Sequence, residues 1–150
     1  MNTRRPPLRA LLLTLWATVA GCAIHKRTPT NVPPPIVVDA AIEGSTDRMG
    51  SIAKLEDYIR ESTAPDVIPW AKAWAAEQRR LAGDDEAARK AWEELKEEHP
   101  EHFAASTATL GLAVLNSRED PQGNVLATLS MVEPEGQPDT LNADRYRILA

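Results

Sequence analysis

The sequence predicts an all-α fold: an array of antiparallel helical hairpins that follows a proline-rich tether. Three observations carry this expectation. Beyond position 50, apolar residues recur at i, i+3, i+4 and i+7, the period of a helix with one buried face. Glycines and prolines fall mostly between these periodic stretches, where they end helices rather than interrupt them. No run of useful length alternates apolar and polar residues as a half-buried strand does; Ile36-Val37-Val38 is too short.

The clearest helix is expected from Pro69, with Asp66 as its cap. Pro69 sits in the first turn, where a missing N–H costs nothing. Trp70, Ala73, Trp74, Glu77 and Leu81 follow at helical spacing, and Gly83 supplies a left-handed turn. Asp84 then caps a second helix over 85–98, whose apolar side is Ala88, Ala91, Trp92 and Leu95; Pro100 ends it. Glu93, Glu94, Glu97 and Glu98 crowd the end of that helix, against its dipole, and Lys90 and Lys96 offset them in part. A solvated face is the plain reading of these acids, ahead of an acidic docking patch.

Neighbouring helices follow the same pattern. Upstream, Ile52, Leu55, Tyr58 and Ile59 make a helix that ends near Pro65, preceded by a partial helix over 37–46. Downstream, 103–116 carries Phe103, Thr107, Leu110 and Val114 on one side, with Leu112 and Leu115 beside them. Pro121 opens a partner helix with Val125, Leu126, Leu129, Met131 and Val132 as its apolar side. A last helix, capped by Asp139 or Thr140, sets Leu141, Arg145, Ile148 and Leu149 on one face. Six helices are therefore expected after residue 50.

Residues 71–100 resemble a tetratricopeptide repeat. Gly83-Asp84 matches its turn, Ala88 the small residue at the helix crossing, Trp92 the aromatic four residues later, Pro100 the closing proline and Ala76 the small residue of the first helix. Lys72 departs from the pattern, standing where a large apolar residue is usual. One repeat cannot bury its own face, so stacked neighbours are required. The resemblance implies that first-helix residues line a concave groove for partner segments; here these are Trp70, Ala73, Glu77 and Arg80. At helical spacing beside alanines, Trp70, Trp74 and Trp92 read as core in preference to a ligand-binding aromatic patch.

The amino-terminal residues have a different character. Arg4, Arg5 and Arg9 precede an apolar run over 10–20. As a helix that run is about 16 Å long, roughly half a bilayer core, so it reads as a signal peptide rather than a spanning anchor. Val19-Ala20-Gly21-Cys22 resembles the bacterial lipobox. The resemblance implies removal of residues 1–21, a diacylglycerol on the Cys22 thiol and an acyl chain on its amine, enough for stable anchoring. Ala23 stands where an aspartate would imply inner-membrane retention, which implies an outer-membrane protein facing the periplasm. Residues 22–36, rich in proline, form the lipidated cysteine and a semi-stiff tether, and 37–150 the helical repeat domain.

Composition narrows the function classes. All 22 acidic residues follow Cys22 while three of the 17 basic ones precede it, so the remainder is more acidic than the whole chain, at −5. That argues against nucleic acid as a partner. Cys22 is the only cysteine, which excludes a disulfide within the chain and a thiolate cluster. His99 and His102 flank the helix-breaking Pro100, with no further ligand type nearby to complete a metal site. There is no glycine-rich phosphate loop and no nucleophile elbow. No catalytic residue, metal or cofactor is expected beyond the lipid on Cys22.

The function expected is a non-catalytic protein–protein interaction module in cell-envelope assembly or cell-wall synthesis regulation, with a periplasmic or outer-membrane protein as partner. The layout of lipobox, proline tether and helical repeats resembles the front of penicillin-binding-protein activator lipoproteins. A small-ligand carrier is the alternative. Ile148-Leu149 implies that the last helix docks on its own molecule, self-associates through 141–150, or leads into a longer protein.

Overall fold

A computed structural model describes residues 31–119 and 124–150. Cys22, the signal segment and Pro121 lie outside the described residues. Those described form seven helices: α1 (Pro35–Glu43), α2 (Arg48–Glu61), α3 (Ile68–Leu81), α4 (Asp85–Glu98), α5 (Ala104–Glu119), α6 (Asn124–Met131) and α7 (Asp139–Leu149). Each packs on its neighbour in sequence, and α1 packs on α3, α3 on α5 and α5 on α7. The odd-numbered helices thus stand side by side as one layer, backed by α2, α4 and α6. This is the all-α array of helical hairpins that the apolar periodicity predicts.

The α3–α4 hairpin follows local rules closely. Gly83 takes a left-handed φ of 90°. Its N–H donates to the Arg80 carbonyl at 3.0 Å and the Asp84 N–H to the Arg79 carbonyl at 2.9 Å, which satisfies the last carbonyls of α3. The Asp84 carboxylate then accepts the Ala87 N–H at 3.1 Å and caps α4. Two helices can turn back in so few residues only because a residue without Cβ sits at the left-handed position.

Trp92 locks this hairpin to the next. Its ring is fully buried, and its indole N–H donates to the Ala73 carbonyl on α3 at 3.3 Å. On the other side it meets Gly111 of α5, where an added Cβ would lie 2.5 Å from the ring. Ala88 and Leu95, on the same face of α4, are fully buried too. Central α5 buries most of its circumference, including Ala104, Thr107, Ala108, Leu110, Val114 and Leu115.

Several expectations are corrected. Helix α1 opens at Pro35, so Pro35 and Ile36, assigned to the tether, form its first turn. Asp66 does not cap α3; Val67 stands at that position without a side-chain bond, and the Asp66 carbonyl serves the His102 ring instead. Neither Asp139 nor Thr140 caps α7: Pro138 precedes it and Asp139 is its first residue. On α6 only Leu129 is fully buried, while Leu126 and Met131 face outward. On α7, Leu141 and Arg145 are buried and Leu149 is exposed. Lys72, the departure from the repeat pattern, turns to the end of α4 and ion-pairs with Glu98. A cation there answers the acids and the negative end of the helix dipole.

Gly111 supplies a direct check. In an open helix Gly→Ala stabilises by about 1 kcal/mol. Here the new methyl would strike the Trp92 ring, so Gly111→Ala is expected to destabilise by roughly 1–3 kcal/mol. Urea unfolding of the variant reads the sign.

Candidate functional site

The four residues expected to line an open groove are buried. Trp70 and Ala73 are 0% exposed, Glu77 1% and Arg80 5%. Trp70 stacks edge-on against His102, with centroids 5.7 Å apart, and packs on Phe103 at 5.8 Å. The Ala73 carbonyl holds Trp92. Glu77 and Arg80 are covered by a later part of the chain, α7.

That cover is an ion-paired clasp. The Arg80 guanidinium donates two bonds to the Glu77 carboxylate, from Nε at 2.8 Å and from Nη2 at 2.7 Å. Its Nη1 reaches the Asp144 carboxylate of α7 at 2.9 Å. Thr140, in the first turn of α7, donates its hydroxyl to Glu77. Asp144 also takes Arg147 at 3.0 Å. Burial works against the charge on Arg80, but the bonds and charges of Glu77 and Asp144 outweigh it and raise its pKa above the ordinary arginine value. Thr140 and Asp144 of α7 are thereby bound to the last turns of α3, and the helical layer curls on itself.

The curl leaves a cleft between α1, α3 and the start of α7. Its volume is about 350 Å³, within the range of small-ligand pockets, and its walls are mainly apolar. Val38, Ala41, Ile42 and Ser45 come from α1 and its end, Trp74, Glu77 and Gln78 from α3, and Pro138, Asp139 and Thr140 from the start of α7. Of the predicted groove residues only Glu77 reaches it. Trp74 and Gln78 replace Trp70, Ala73 and Arg80, a rotation of about 100° around α3, or one residue. The Trp74 indole N–H and the Gln78 carbonyl oxygen are buried without a hydrogen-bond partner. Gly44 makes room for the Gln78 carboxamide: a Cβ there would lie 2.5 Å from its oxygen.

The turn and packing residues Gly83, Asp84, Ala88 and Trp92 gather at the α3–α4 hairpin and away from this cleft, and Pro100 follows α4 on the surface. Among the described residues no three His, Cys, Asp or Glu side chains stand close enough to hold a metal ion, and no helix is long and apolar enough to cross a membrane. The acids at the end of α4 are solvent-exposed. Comparison of the chain with known families, with curated proteins and with solved structures finds no match.

His102 is a part-buried titratable group with both ring nitrogens bonded to the backbone. Its Nδ1 accepts the Ala104 N–H at 3.0 Å, so Nε2 carries the proton and donates to the Asp66 carbonyl at 3.2 Å. Burial beside Trp70 lowers its pKa below the ordinary 6.5, with the Asp66 bond acting the other way. Above that ordinary value both folded and unfolded chains hold the ring neutral. As pH falls through it, the unfolded chain takes up the proton first and stability declines, until pH passes below the depressed folded value. Urea midpoints at pH 8 and pH 5 should therefore fall further for the native chain than for His102→Gln; parallel curves would contradict this.

Proposed function

We propose that this chain is a lipid-anchored, non-catalytic interaction module of the bacterial cell envelope. The lipobox-like Val19-Ala20-Gly21-Cys22 supports the anchor, with diacylglycerol and acyl chains on Cys22 holding the protein at the periplasmic face of the outer membrane. The observation that carries the binding role is the cleft among the odd-numbered helices: about 350 Å³, mainly apolar, and holding polar atoms of Trp74 and Gln78 that lack partners. Hairpin arrays of the tetratricopeptide kind bind partner segments on the layer formed by their first helices, and α1, α3, α5 and α7 occupy that layer here. The partner is a periplasmic or outer-membrane protein acting in envelope assembly or cell-wall synthesis.

A second reading, a carrier of small ligands, draws on the division among the tryptophans. Trp70 and Trp92 are sealed in the core, whereas Trp74 is half-buried on the cleft wall. A cleft of this size admits a small molecule with one aromatic wall to stack on.

Site-specific photo-crosslinking in cells separates the cleft from the outer face. A crosslinking residue at Ser45, exposed on the cleft rim, is expected to trap one defined envelope protein. The same residue at Glu97, exposed on α4, is expected to trap none of it. Equal trapping from both positions, or retention of Cys22→Ala in the membrane fraction at the native level, contradicts the proposal.

A further inference from the structure

We infer that residues 31–34 are a strap that fastens one end of the cleft, and that releasing the strap widens the cleft for its occupant; the role in access rests on the cleft being the partner site. Two walls of the cleft come from parts of the array far apart in sequence. Val38, Ala41 and Ile42 belong to α1, which packs on α2 and α3, whereas Pro138, Asp139 and Thr140 open α7, which packs on α5 and α6. Ahead of both walls the chain crosses from one to the other. The Asn31 backbone, four residues before α1, lies against Gly136, two residues before Pro138.

Gly136 is a fixed post for this strap. It takes a left-handed φ of 75°. The turn around it is tied down by the Gln137 N–H, which donates to the Pro134 carbonyl at 3.3 Å. The buried Gln137 side chain donates to the Ser106 hydroxyl of α5 at 2.8 Å, and Asn142 of α7 donates to the Pro134 carbonyl at 2.9 Å. A methyl at 136 would strike the Asn31 carbonyl oxygen and touch the Phe103 ring at 3.4 Å, so the strap seats only on a residue without Cβ. Pro33 and Pro34 stiffen the strap, because each fixes its own φ. The other end of α1 is pinned. The Ser51 hydroxyl donates to the Ala40 carbonyl at 2.6 Å, Lys54 pairs with Glu43 at 2.7 Å, and Gly44 sits against Gln78. The first turn of α1 is held by the buried Val37 and by the strap. Helix α1 is thus hinged at its end and fastened at its start, and lifting the strap swings Val38 and Ala41 away from α7. Asn31 stands nine positions after Cys22, so a lipid anchor would act on the cleft through this strap.

Spin-label distances across the cleft test the strap. The protein is the full chain carrying Cys22→Ser, so that introduced cysteines alone are labelled. One pair, Asp39→Cys with Ala143→Cys, joins exposed positions of α1 and α7; a second, Ala82→Cys with Ala143→Cys, joins the end of α3 to α7. Gly136→Ala is expected to lengthen the first distance by about 2 Å or more, the scale of helix shifts in switching proteins, and to leave the second unchanged. Pro33→Gly with Pro34→Gly loosens the strap without touching the turn at 136, and should broaden the first distance in the same direction. Lengthening of both distances, or a response to Gly136→Ala with none to the proline changes, would place the cause in the turn and overturn the inference. An unchanged first distance in both variants overturns it too. In cells, with Cys22 intact, Gly136→Ala should raise trapping from a crosslinking residue at Ser45 about threefold or more. A wider cleft with unchanged trapping overturns the role in access and leaves the partner site standing. No trapping from either protein overturns the partner site, while the distances still decide the strap.

Discussion

One buried guanidinium governs how this array closes. Arg80 is 3% exposed at its side chain and is held between Glu77, on its own helix, and Asp144, sixty-odd residues further on. Removing a charge from water is expensive, and the attraction between buried partners repays it only when geometry and hydrogen bonding are good. Here the bidentate bond from Glu77, the bond from Asp144 and the Thr140 hydroxyl meet that condition. Such a network is weak evidence for added stability. Its stronger effect is selection, because any other placement of α7 would cost Arg80 its bond to Asp144 and Glu77 its bond from Thr140. The network joins α7, which packs on α5 and α6, to α3, and so sets the cleft walls from Pro138 to Thr140.

What the sequence made legible was local. The α3–α4 hairpin could be read from Gly83, Asp84, Ala88 and Trp92 because turn, cap and wedge are set within a few residues of one another. The same holds for the number of helices after residue 50, which depends only on apolar period and punctuation. The cleft was not legible in the same way. Glu77 and Arg80 are polar residues on an amphipathic helix, and nothing near them in sequence announces that α7 returns to bury them. Gly111 went unread for the same reason: its role is the space it leaves for a tryptophan nineteen positions earlier. Asp66 looked like a cap by position, but its carbonyl is taken by His102 across the array.

These features bear on the proposed binding role. The inward-packed Trp70 and Trp92 leave little aromatic surface free, and the cleft between α1, α3 and the start of α7 is where the layer stays open. That opening is lined by the one tryptophan of the array that is not sealed in the core, and by polar atoms that the fold itself leaves unpaired. Arg145 is less well compensated. It is buried with two unpartnered nitrogens, a long 3.5 Å approach to the Ser130 carbonyl and the Tyr146 ring at 5.7 Å. Helix α7 is thus held to α3 through Thr140 and Asp144, while the neighbouring Arg145 is left short of partners.

Amide hydrogen exchange on Asp144→Asn tests the role of Arg80 most directly. The substitution removes the charge that ties α7 to α3 and leaves the Arg80–Glu77 pair within α3 intact. The amides of α7 should exchange about tenfold faster or more, a loss of roughly 1.4 kcal/mol of local stability, while those of α3 and α4 keep their protection. Unchanged exchange in α7, or a uniform increase across the whole array, would contradict the claim that this guanidinium carries α7 onto the core.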